Sequence, residues 1–243
     1  MPARSRCDTS SLVGDHGAVP GPTILDADVR ADLAAAHAAT IVDLGRAGDW
    51  LSADEKVALA TTVRAARAAV DDAPWFRPSE AGMTVDPLPP AAVDAAWRIT
   101  NQPGTLTHDW YRATVEGLPS PGYYVELVAV VAAVNAVDRL ADILGLALIP
   151  LPEPAPGAPH RPIVDTRVSS HWVPTAVDAR GPNVLRALSA VPAAHEIRAR
   201  LLDAQYLPTA ALLGDLDWSR GTLDRRQIEL VAALTSLHNE CFY

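Results

Sequence analysis

Cysteine is nearly absent from this chain: Cys7 and Cys241 are the only two in 243 residues. So far apart, they offer neither a disulfide framework nor a CxxC pair for zinc. Lysine is scarcer still, with Lys56 alone among 20 basic residues. The net charge is −9, and the arginines are scattered rather than striped among aromatics. Neutralising phosphates takes clustered cations, so nucleic acid is excluded as a partner. Long apolar runs are missing too. The longest, "VELVAVVAAVNAV", is broken by Glu126 and Asn135 and falls short of the ~20 residues that span a bilayer. No basic amphipathic stretch suits a membrane surface. The start, "MPARSRCDTSSLVGDHG", lacks an apolar h-region, which places the protein in the cytoplasm. Dinucleotide, P-loop, nucleophile-elbow and H-E-x-x-H motifs are all absent. The histidines lie far apart, so neither a metal nor a nucleotide cofactor is expected.

What the chain does have is alanine, leucine and valine at helical spacing. Residues 1–22, rich in Ser, Gly, Pro and Asp, read as a disordered tail. The spacing predicts helices over 28–48, with Leu33, Ile41 and Leu44 inward, and over 52–72. The second opens with a capping box at Ser52 and Glu55 and turns Val57, Leu59, Ala60 and Val63 inward. Shorter helices are expected at 91–101 and 106–116, and the strongest at 121–144, with Pro121 suited to its first turn. Residues 150–162, "PLPEPAPGAPHRP", hold six prolines, which rules out helix or sheet interior and reads as a stiff linker or a surface crossing between two halves. "IVDTRVSSHWVPTAV" leans towards strand. Helices resume near 183, 193–206 and 222 onward. The expected fold is therefore all-α, a helical bundle of two related halves, 23–149 and 163–243. With phenylalanine at two residues, the six tryptophans are expected to anchor the core, and His108, Trp110 and Tyr111 could line a pocket.

The two halves echo one another. "YVELVAVVAAVNAVDRLAD" and "QIELVAALTSLHNECFY" align on Glu126 and Glu229, sharing E-L-V-A after a β-branched residue. Each sets one acid among apolar residues, where a carboxylate is costly to desolvate unless paired or protonated. For Glu126 the bland alternatives are an ion pair to an arginine or simple exposure.

After Glu229 come Ser236, Asn239 and Cys241 at +7, +10 and +12. This stretch resembles the start of the alkylhydroperoxidase D-like (carboxymuconolactone decarboxylase) motif: E, eleven residues, C, two residues, C, three residues, H. "YVELVAVVAAVNAVDRLAD" is similar to a degenerate second copy. The resemblance implies an all-helical, duplicated, homo-oligomeric protein that reduces hydroperoxides with an external thiol donor. It makes Glu229 the relay carboxylate and Cys241 the first cysteine, usually the resolving one. The second cysteine and the histidine of the motif are not in this sequence, and the position matching Cys241 in the first copy is Asp138. Rival readings are a non-catalytic helical oligomerisation or binding module, and an acid–base enzyme acting on a small lactone through Glu126 and Glu229. Geometry sets one condition. Twelve residues of straight helix span about 18 Å, so Glu229 and Cys241 cooperate only if the chain bends, for which His238-Asn239 is the natural place.

Overall fold

A computed structural model describes residues 21–69, 75–212, 214 and 217–238. Most of the expected N-terminal tail, Cys7 and Cys241 lie outside them. The described residues form an all-α bundle with one minimal antiparallel ladder. The helices are α1 (Ala31–Leu44), α2 (Ala53–Ala68), α3 (Pro90–Asn101), α4 (His108–Glu116), α5 (Pro121–Leu144), α6 (Asn183–Arg186), α7 (Pro192–Gln205), α8 (Thr209–Leu212) and α9 (Arg225–His238). Among the described residues no helix is long and apolar enough to cross a membrane.

The helix boundaries follow local chemistry. At the head of α2 both capping-box bonds form: Glu55 N–H donates to Ser52 Oγ, and Ser52 N–H donates to Glu55 Oε2. Each satisfies a donor the helix cannot. Ser120 accepts from Tyr123 N–H at the start of α5, ahead of Pro121 in the first turn. Gly145 ends the same helix in the left-handed region at φ 67°, and Leu146 N–H bonds back to Ala141 O. Only glycine takes that conformation without steric penalty.

The core forms around α5, whose Val130, Val131, Val134 and Val137 are buried against α2 and α3. Leu59, Ala60 and Val63 of α2 face it, as the spacing predicts, and Val57 is half-buried. On the other side of α5, helix α7 packs on both α5 and α1, inserting Ala194, Ile197 and Leu201. His37 stitches α1 to α7: it is buried, and Gln205 Nε2 lies 2.8 Å from its Nε2. Burial holds its pKa below the ordinary value.

Three expectations resolve differently from their simplest form. Residues 150–162 are bonded to the α1–α2 turn rather than free of it: Ala155, His160 and Arg161 donate their N–H groups to Gly45 O, Gly48 O and Asp49 O. The segment straps the α1–α2 turn. The β-leaning stretch yields a ladder of two residues a side, Thr166 opposite Ala176 and Arg167 opposite Thr175. Among the described tryptophans only Trp97 is buried, while Trp75 and Trp172 are exposed. Small alanines let helices approach closely, so aliphatic side chains fill the centre and most indoles stay at its rim.

Candidate functional site

Glu126 sits on α5 with no solvent exposure. Neither bland alternative holds, since it is fully buried and pairs with no arginine among the described residues. Its Oε2 instead accepts the N–H groups of Trp50 (2.5 Å) and Leu51 (3.2 Å), which close the turn before α2. Oε1 has no hydrogen-bond partner among the described residues and rests against Gly48, where a Cβ would lie 1.6 Å from it. That contact, rather than any need for positive φ, requires glycine at 48. Burial raises the carboxyl pKa, opposed by the Trp50 N–H, the charge of Lys56 and the Leu51 N–H.

Lys56 shares this pocket of charge. It is 3% exposed and donates to Asp43 O at 2.7 Å, capping the last turn of α1. Burial lowers its pKa against the pull of Glu126, Asp43 and Asp49. Asp49, itself buried, accepts Ala193 N–H at 2.8 Å and so meets the positive end of α7. Arg200 reaches Asp43 Oδ2 at 2.5 Å. A cavity of about 340 Å³ opens here, with Lys56, Asp43, Gly48 and Arg200 in its wall. Gly48 stands between that cavity and Glu126. The carboxyl can hold a proton, but in this conformation no substrate reaches it, so the acid–base reading has no route to Glu126.

Twelve residues further along α5 is Asp138, at the place matching Cys241. It is fully buried and gripped by two arginines. Arg64 Nε and Nη2 donate to it at 2.9 and 3.1 Å, and Arg67 Nη1 lies 2.9 Å away. Arg64 also donates to Ile149 O at 2.8 Å, and Arg67 pairs with Asp142. Because α5 runs unbroken from Pro121 to Leu144, Glu126 and Asp138 are held about 18 Å apart along the axis. Glu126 and Asp138 thus form a clamp and an ion-pair lock, not a reacting pair.

Glu229 lies in the second turn of α9, with 44% of its side chain exposed. Tyr206 Oη donates to its Oε2 at 2.6 Å, and Arg225 Nε donates to its Oε1 at 2.6 Å. Hydrogen bonding from Tyr206, then the contact with Arg225, hold its pKa below the ordinary carboxyl value. In the same contact the Tyr206 phenol is pushed up to about 12 by burial and by Glu229. Glu229 therefore adds stability above the ordinary carboxyl pKa, and that contribution fades as pH falls through its lowered value. Tyr206→Phe is expected to raise the Glu229 pKa towards 4.5. The lost bond at a part-exposed site is worth about 0.5–1 kcal/mol. Carboxyl-carbon NMR titration reads the first effect and urea unfolding the second.

Helix α9 is described as far as His238, so the expected bend at His238-Asn239 and the thiol of Cys241 lie at or beyond the described residues. Sequence reasoning passed over Lys56 and the Arg64–Asp138–Arg67 lock. A signal existed for each: a lone lysine on the inward stripe of α2, and an acid on the inward stripe of α5. Among the described residues no three His, Cys, Asp or Glu side chains converge as around a metal ion.

Set against protein-family models, curated proteins and solved structures, the chain matches none.

Proposed function

We propose that this protein is an alkylhydroperoxidase-like thiol oxidoreductase whose reacting half is the second, with the first half serving as its scaffold. The observation that carries this reading is the contrast between the two E-L-V-A helices. In α5 the motif positions are occupied by Glu126, tied to backbone N–H groups, and by Asp138, tied to two arginines. In α9 the same register leads from the partly exposed Glu229 to a thiol at Cys241. A thiolate attacks the peroxide O–O bond, releasing alcohol and leaving a sulfenic acid. Further thiol then reduces it with loss of water. The balance is one hydroperoxide and two thiols to one alcohol, one water and one disulfide. An external thiol donor is at hand in a reducing cytoplasm. Homo-oligomer formation belongs to the same reading, and α9 leaves Leu230, Val231, Leu234 and Leu237 exposed.

Consumption of cumene hydroperoxide with dithiothreitol as donor tests the proposal. Cys241→Ser is expected to bring the rate down to that of buffer, while Cys7→Ser leaves it unchanged. Equal rates for wild type and Cys241→Ser remove Cys241 from the mechanism. The coding sequence after Tyr243 gives an independent reading. A continuation as Cys, three residues and His supports the two-cysteine cycle, and any other continuation overturns it.

A further inference from the structure

A second cavity, of about 430 Å³, lies between α5 and the segment from Ser170 to Leu188, far in chemical character from the charged pocket beside Lys56. Tyr124 and Val128 of α5 form one side; Val173, Val184 and Leu188 form the other. Among the described residues no Asp, Glu, Lys or Arg lines it. Its volume falls within the roughly 300–1,000 Å³ of small-molecule sites, which pair an apolar lining with a few placed polar groups.

Those polar groups are present. Tyr124 is 4% exposed, and no hydrogen bond joins its hydroxyl to another described residue. A phenol so enclosed carries an unspent donor, and burial raises its pKa, so it stays protonated. His171 lies 2.8 Å through Nδ1 from Val173 O. A carbonyl accepts only, so Nδ1 bears a proton, and Nε2 lies 3.2 Å from Ser169 Oγ. The wall is braced from outside. Trp172 rests on His108 and Tyr111, at ring-centre distances of 5.7 and 6.5 Å, and Tyr111 meets Tyr124 edge-on at 5.0 Å. These contacts tie the loop that carries His171 to α4 and α5, so the cavity does not depend on a ligand to hold its shape.

We propose that this cavity binds an uncharged small molecule with an apolar, ring-sized body and an oxygen acceptor that takes the Tyr124 hydroxyl. A lining without charged side chains sets the neutrality, because an ion brought here would lose its hydration with no charge in direct contact to replace it, the Arg186 guanidinium meeting the wall through Thr175 Oγ1 at 2.9 Å. The proposal stands apart from thiol chemistry and survives if Cys241 proves inert.

Acetophenone and benzoate test it, being alike in size and shape but different in charge. The full chain is titrated with each at pH 7, and binding is followed by saturation-transfer NMR. Acetophenone is expected to bind at least tenfold more tightly than benzoate. Val128→Trp, which fills the cavity from α5, is expected to weaken acetophenone at least tenfold. Val184→Trp blocks the opposite wall from a position already 42% exposed, and so serves if the α5 variant does not fold. Tyr124→Phe is expected to weaken acetophenone about fivefold without altering the circular dichroism spectrum. Unchanged binding in a folded filling variant overturns the site, as does no binding of either probe. Benzoate binding as tightly as acetophenone overturns the neutral class, and an unchanged affinity in Tyr124→Phe removes the acceptor contact.

Discussion

Asp138→Ala is expected to lose about 3–5 kcal/mol of folding stability, the usual cost of stripping one partner from a buried ion pair. The side chain is fully enclosed, while Arg64 and Arg67 have 20% and 11% of theirs exposed. Both guanidinium groups would keep other contacts, Arg64 with Ile149 O and Arg67 with Asp142. Neither contact replaces a carboxylate at about 3 Å inside the bundle. The triple change Arg64→Met, Arg67→Met and Asp138→Leu is expected to come close to wild type, since it removes the charges together and fills the space with apolar volume. Urea unfolding of both variants checks this. A loss below about 1 kcal/mol for Asp138→Ala would mean that the lock contributes little to stability.

The second large effect concerns Glu126. Alanine at 126 leaves the buried N–H groups of Trp50 and Leu51 without an acceptor, at about 1–3 kcal/mol for each unsatisfied group, and opens a void beside Gly48. Glutamine behaves differently. Its amide oxygen still accepts from both N–H groups, and it mimics the protonated acid. Because burial raises the folded-state pKa of Glu126, its contribution is fully present below the ordinary value of 4.5 and is lost as pH rises through the folded value. Glu126→Gln should therefore match wild type below about pH 4 and become the more stable of the two as pH rises. Urea midpoints across a pH series read the difference. A wild type that gains on Glu126→Gln with rising pH would show that the carboxylate is ionised and held so by Lys56. Gly48→Ala is expected to destabilise by about 1–3 kcal/mol through overpacking, since its Cβ would land on Oε1.

These effects explain why the clamp matters to the fold. The α1–α2 turn exposes backbone donors that no helix satisfies, and Glu126 covers two of them from below. The proline-rich segment covers the carbonyls of the same turn from outside, at Gly45, Gly48 and Asp49. The turn thus reaches α5 and the strap together, which fixes how α2 leaves α1. The Glu126 carboxyl is here a structural acceptor.

Much of this was written locally in the chain. The capping box at Ser52 and Glu55, the span of α5 from its first proline to Gly145, and the inward face of α2 follow from side-chain preferences and a 3.6-residue period. Local interactions decide all three, so sequence alone determined them, along with the all-α class. The E-L-V-A echo and the Glu229-to-Cys241 spacing were legible in the same way. Tertiary structure alone decided what each acid does. Glu126 and Glu229 stand in nearly identical words, yet one is sealed against Gly48 and two backbone N–H groups. The other lies half in solvent between Tyr206 and Arg225. The difference comes from residues 75 and 23 positions away, which no local pattern specifies. Likewise Asp138 reads as one more helical acid until α2 brings Arg64 and Arg67 against it. The fate of a charge depends on solvent access and on partners across the fold, and both exist only once the helices have packed.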